Sequence, residues 1–183
     1  ITIKVKGDAT TGPEEENKRW RIKGIVMKDA FKEATGSCSI SEGGVATTSW
    51  TLSEGQTTDV DLGRADGDTQ NSNSKIQSLT QEAVPYEAVA NALIVIPQPP
   101  LKLAVTYECP TAGGSYTEKT VEVDLTLTGH KDEDGNDIAE NERIDMWKSG
   151  IHYTYTLVFK ANEILVAPSF GKWETSDQTI TVE

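Results

Sequence analysis

Apolar and polar residues alternate along several stretches of this chain, and a period of two predicts β-strands. In the opening ITIKVK, Ile1, Ile3 and Val5 share one face. In RWRIKGIV, Trp20, Ile22 and Val26 lie two or four apart. LKLAVTYEC sets Leu101, Leu103, Val105 and Tyr107 on one side, and TVEVDLTLT does the same with Val121, Val123, Leu125 and Leu127. IHYTYTLVF alternates Ile151, Tyr153, Tyr155, Leu157 and Phe159 with His152, Thr154, Thr156 and Val158. One apolar face and one wet face suit antiparallel strands. ALIVIP (92–97) is different: its unbroken apolar run predicts a strand buried on both sides, or the end of a core strand closed by Pro97.

Turn residues separate these strands. Gly43-Gly44, Gly113-Gly114 and DEDGND (132–137) read as hairpins or loops, and Lys160 to Glu163 as a tight hairpin between two apolar strands. The polar stretch from Gly63 to Ser78 has no periodicity and reads as a long surface loop or as a join between subdomains. Helix is scarce. Pro13 to Glu16 could open one, and Lys28 to Ala34 could form one turn. A single helix over 14–34 competes with a strand at 19–26; Gly24 and the β-branched residues favour the strand. The pattern predicts an all-β fold, one β-sandwich domain over 1–183 with a long polar loop near 63–78.

Composition strengthens this reading. Thr, Val and Ile make up 48 of the 183 residues, side chains that suit a pleated, half-buried surface. The net charge of −12 argues against nucleic acid as a partner, which calls for clustered Lys and Arg, and against a polybasic membrane patch. The longest aliphatic run, Ala92 to Ile96, is too short to span a bilayer. The chain opens inside a strand-like segment, so it is expected to be the C-terminal part of something longer, with any export signal or lipid anchor upstream. Cys38 and Cys109 form no disulfide framework. One disulfide between them is open to an exported protein, but Cys38 lies in a polar SCS segment and Cys109 before Pro110, and two separate thiols are the favoured expectation.

Candidate chemistry is sparse. His130 precedes an acidic turn, and His152 falls opposite Tyr153 and Tyr155, which suits a solvent-side or cross-strand role better than general base work. No GxSxG, HExxH, P-loop or GxGxxG occurs, and no catalytic residue is assigned. Asp132, Asp134 and Asn136 offer the oxygens a hard cation takes, but the glycine of DEDGND falls at the fourth position instead of the sixth. That stretch, like Asp66-Gly67-Asp68, reads as ordinary turn chemistry. No metal and no cofactor is therefore expected. Of the four tryptophans, Trp20 reads as core, while Trp50 and Trp147 lie near loops where an aromatic ring could meet a sugar or a protein.

The last third carries a more specific pattern. Ile94, Val95, Ile96, Pro97 and Gln98 are followed by Trp147, Gly150, Tyr153, Tyr155 and Leu157, then by Ile164, Val166 and Trp173. This order resembles the C-terminal half of the fimbrillin-like proteins, the pilin and pilus-associated subunits of Bacteroides-type (type V) pili. The motif has its own physics. Gly150 permits a sharp turn, the Tyr153 to Phe159 ladder faces inward, Pro168 ends the following strand, and Trp173 could cap the open end of the sandwich. The resemblance implies an antiparallel Greek-key, transthyretin-like sandwich. It further implies a lipoprotein of the outer membrane or fimbrium that joins other pilus subunits by β-strand addition, with the membrane reached only through an upstream lipid anchor. The implied role is structural and adhesive, without catalysis. The alternative is a module of the same fold that binds carbohydrate or a host protein. Ile180 and Val182 share one face of TITVE. A strand at 179–182 that pairs within its own domain would favour a tip, anchor or accessory subunit over a stalk pilin.

Overall fold

The computed structural model describes residues 1–44, 46–64, 76–86, 93–126 and 144–172. Eleven strands carry the described fold: β1 (Thr2–Gly7), β2 (Arg21–Phe31), β3 (Ala34–Ile40), β4 (Ala46–Leu52), β5 (Thr57–Arg64), β6 (Gln77–Ser78), β7 (Val84–Pro85), β8 (Lys102–Pro110), β9 (Tyr116–Asp124), β10 (Ile151–Phe159) and β11 (Ile164–Lys172). Helix is limited, among the described residues, to one 3-10 turn, Glu16–Lys18. The expected all-β class is what the chain adopts.

One sheet runs β11-β10-β1-β7 and the other β5-β2-β8-β9, with the short β6 also paired to β2. Their inner faces meet in one core. Ile3, Val5, Tyr155, Leu157 and Phe159 come from the first sheet, and Ile22, Ile25, Met27, Leu103, Val105 and Val123 from the second. Tyr107 bridges the layers: its ring stacks on Trp20 at 5.4 Å and meets Phe159 edge-on at 5.6 Å, both favoured aromatic geometries. The expected inward ladders of β1, β8 and β10 are therefore found, as is Trp20 at the core's margin. The tight hairpin is found too, closed by Lys160 N–H to Glu163 O at 2.9 Å.

Five expectations need correction. First, β1 pairs with β10 in parallel, Ile3 opposite Tyr155 and Val5 opposite Leu157; alternation reports which face is wet, not the direction of the neighbour. Second, Val26 does not share the face of Ile22. The pairing of β2 with β8 slips between Ile22 and Gly24, and such a bulge adds one residue and reverses the parity beyond it. Ile25 and Met27 are fully buried and Val26 only half-buried. Third, Lys28 to Ala34 is no helical turn. A second irregularity lies between Met27 and Ala30 on the β5 side, with Asp29 at φ 55°, a left-handed conformation that Asp tolerates better than most residues. Lys28 pairs with Asp59, whose carboxylate also accepts the Asp29 N–H at 3.2 Å.

Fourth, 93–97 is not a strand, and Ile94 is 89% exposed. The segment is tied to β1 at one point, where the Ile1 amino group donates to Leu93 O at 2.6 Å and Leu93 N–H donates to Ile1 O at 2.7 Å. Fifth, Pro168 does not end its strand; β11 continues to Lys172, with Pro168 opposite Tyr155. Among the described residues β11 is an edge strand, the place in a sheet where a missing N–H is tolerated. Residues 65–75 of the expected polar loop, and 179–182 at the C-terminus, lie outside the described residues. Gly63 and Arg64 belong to β5, and Gln77 and Ser78 form β6.

Sequence reading missed the excursion between β2 and β5. These strands pair as a hairpin, Phe31 opposite Thr57, and the ribbon continues outward as β3 and β4, joined to its base by Lys32 N–H to Gln56 O and Ser53 N–H to Glu33 O. Seven pairs run unbroken from Ala34–Leu52 to Ile40–Ala46. Almost every residue of this arm is exposed. Thr35, Ser37 and Ser39 face Thr51, Ser49 and Thr47 along one side. Gly36, Cys38 and Ile40 face Trp50, Thr48 and Ala46 along the other. Trp50 lies over Gly36 so closely that a Cβ there would stand 3.0 Å from its ring.

The bulge makes a prediction that separates neighbouring residues. Ile25→Ala should cost about 2–5 kcal/mol, the usual range for emptying a buried aliphatic site. Val26→Ala should cost about 1 kcal/mol or less, as expected for a half-buried position. Urea denaturation of the two variants measures both; the reverse order would restore the unbulged register.

Candidate functional site

Trp147, Gly150, Tyr153, Tyr155 and the 93–98 segment, which sequence reading grouped by order alone, meet at one end of the sandwich. Gly150 lies at φ +74°, a conformation that favours glycine, and turns the chain from Trp147 into β10. Trp147 is buried to 1% exposure, so it belongs to the core and forms the floor of this end instead of an exposed stacking surface. Its indole Nε1–H donates to Tyr155 Oη at 2.7 Å and its ring meets Tyr155 at a 64° tilt. Burial pushes the Tyr155 phenol well above its ordinary value, so it stays a neutral hydroxyl, the Trp147 bond opposing this only in part. The Lys148 main-chain N–H donates to Tyr153 Oη at 3.0 Å, and that hydroxyl reaches Met146 O at 3.3 Å. The Trp147 loop is thus held to β10 through both tyrosines.

Gln98 performs the matching task on the other side. It is 1% exposed. Its Oε1 accepts the Phe31 N–H at 3.0 Å, its Nε2 donates to Ile96 O at 3.3 Å, and its own carbonyl accepts the Trp147 N–H at 2.9 Å. Through its side-chain amide and its main-chain carbonyl, this one buried residue ties β2, the 93–97 segment and the Trp147 loop together. The sequence marked Gln98 as part of a motif; its role as a joint needed the fold.

Between these elements lies an open cleft of about 450 Å³, lined by Ile1, Trp50, residues 93–97, Trp147 to Ile151 and Tyr153. Its lining is mostly apolar, with Lys148, Ser149 and the Tyr153 hydroxyl the polar exceptions among the aliphatic and aromatic residues. Trp50 reaches it from the arm and is 43% exposed. The main chain of Ile94 and Val95 makes no hydrogen bond among the described residues. Unpaired peptide groups beside an apolar trough are what an added β-strand uses, with main-chain bonds for affinity and alternate side chains for register.

The other singled-out residues are not gathered here. His152 lies on β10 with its Nε2 2.9 Å from the Thr2 hydroxyl, a cross-strand contact between paired strands. His130, Asp132, Asp134, Asn136, Asp66, Asp68 and Trp173 lie outside the described residues. Within the described residues, no cluster of three His, Cys, Asp or Glu side chains could hold a metal ion, and no helix is long and apolar enough to cross a membrane. Cys38 is an exposed free thiol on the arm, and Cys109 a buried one on β8, where burial raises its pKa.

The two joints should be separable from the cleft surface by mutation. Tyr155→Phe strands the buried indole N–H and should cost about 1–3 kcal/mol, and Gln98→Met, which strands the Phe31 N–H, should cost a similar amount. Trp50→Ala, at an exposed position, should stay within about 0.5 kcal/mol of the parent. Equilibrium unfolding monitored by circular dichroism ranks the three.

No family model and no curated protein matches this sequence. Among solved structures, the chain is similar to a candidate cell adhesion protein from Bacteroides uniformis ATCC 8492, at 13% identity and a TM-score of 0.42. The match covers 94% of this chain and 49% of that one, so the chain spans about half the length of that protein.

Proposed function

We propose that this chain is a structural and adhesive cell-surface component, a fimbrillin-like pilus subunit that works by binding and not by catalysis. The observation that carries this reading is the cleft at the Trp147 end, where the main chain of Ile94 and Val95, unpaired among the described residues, borders an apolar trough. Its partner is an extended strand of another subunit, hydrogen-bonded along 94–96, with apolar side chains directed toward Ile1, Ile151 and Trp147. The resemblance of the Ile94 to Gln98 and Trp147 to Leu157 series to fimbrillin-like proteins supports the same reading and supplies its setting, an outer-membrane-anchored fimbrium. The acidic balance of −12 keeps nucleic acid out of the partner list.

The test is a photo-crosslinking residue in place of Val95, carried by the full protein on the surface of cells that produce it. The expected product is an adduct with a surface subunit in sheared fibres, mapped by mass spectrometry to an alternating apolar strand. Absence of any surface adduct, or an adduct that maps to a globular face of its partner, would sink the strand-addition reading. A saturable quench of tryptophan fluorescence by a defined oligosaccharide, abolished in Trp50→Ala, would favour the carbohydrate-binding alternative.

A further inference from the structure

The β3–β4 arm combines features that sheets in isolated proteins usually avoid. Its fourteen strand residues carry no charge on a chain of net charge −12. Among the described residues neither strand pairs with anything but the other. Exposed edges are normally blunted by lysine, proline, a bulge or a cover, because bare peptide groups template further pairing. Ala34 to Ile40 has none of these, and its register with β4 has no shift. The arm is also where two acidic copies could approach without bringing charged strands together.

Charge at the arm's ends distinguishes its two edges. Lys32 stands at the base beside β3 and Glu42 at the tip, both exposed, and neither takes part in an ion pair among the described residues. If two β3 strands align antiparallel about Ser37, Lys32 of each copy falls opposite Glu42 of the other, Glu33 falls opposite Ser41 on the other face, and the uncharged residues 34–40 face one another. Antiparallel pairing of two β4 strands about Ser49 sets Glu54 opposite Gly44, two residues from Glu42 at the opposing tip, and brings no lysine opposite an acid. Opposite charges across paired strands stabilise and like charges destabilise, so the β3 edge is the favoured one.

We propose that the arm is a self-association surface: two copies of this chain pair β3 against β3 about Ser37 into a continuous four-stranded antiparallel sheet, with two Lys32–Glu42 contacts closing its ends. The paired edge is β3, whereas the arm reaches the cleft beside 94–96 only through Trp50 of β4, and the association test does not depend on strand binding in that cleft.

Sedimentation velocity of the purified chain across a concentration series is the first measurement, with a concentration-dependent dimer expected. Lys32→Glu and Glu42→Lys should each weaken the dimer by roughly three- to tenfold, since each alters two exposed charge pairs, and the double charge swap should restore it. A spin label on Cys38, the exposed thiol, reads the geometry directly, while buried Cys109 is left unlabelled. Neighbouring strands lie ~4.8 Å apart, so this register puts the two Cys38 Cα atoms within roughly 10 Å. A chain that stays monomeric throughout overturns the proposal. So does a dimer indifferent to the charge variants, a double swap that fails to restore pairing, or labels held far beyond that separation.

Discussion

The parity of β2 is the constraint on which this fold rests. It is the strand that β5, β6 and β8 all pair with, and its side chains form much of one wall of the core. A single extra residue near Lys23 and Gly24 lets Ile22 point inward before it, and Ile25 and Met27 after it. Without that slip, one of the two groups would face water. Burying an aliphatic side chain is worth about 1.5–3 kcal/mol, so the bulge decides the placement of several kcal/mol. The slip also leaves the outer face free for charge: Arg21 meets Glu108 at 2.6 Å and lies over the Tyr116 ring at 3.4 Å, and Lys23 meets Glu118 at 2.6 Å. Lys23 is held in its charged form chiefly by its hydrogen bond to Glu118.

The Trp147 end solves a different problem. A segment without strand pairing, 93–97, and a loop, 146–150, must be fixed in place without a ladder of main-chain bonds. Gln98, Tyr153 and Tyr155 supply the missing partners from side chains. A buried amide whose donors and acceptors are all satisfied holds geometry firmly, and the same amide deprived of one partner is costly. The cleft is therefore open at its surface and braced beneath it, an arrangement that would spare the strand proposed to bind there part of the ordering cost of binding.

Much of this was legible in the residues. The ladders of β1, β8 and β10 follow from strict alternation, and Gly150 from its place between a tryptophan and a strand. The bulge was not legible, because RWRIKGIVMKDA carries two overlapping parities and only the partner strand decides where one yields to the other. The run 92–97 misled because apolar composition alone does not distinguish a core strand from a cleft wall. The arm escaped notice because ATGSCSI and ATTSWTL lack the apolar face by which strands are recognised. Its signal was there in another form: β-branched residues on either side of Gly43-Gly44, with Trp50 placed to cover Gly36.

Pro168 bears on a different sheet border. It sits within β11, which is the outer strand of its sheet among the described residues, and has no N–H to give. Any segment laid along that edge would meet a gap in the sequence of donors. The two margins of the protein are thus chemically unlike: one sheet border interrupted by proline, and one arm with its border intact. If the arm associates as proposed, one side would discourage lateral growth and one would permit it, a way for an all-β protein to form ordered contacts without running on into an open-ended sheet.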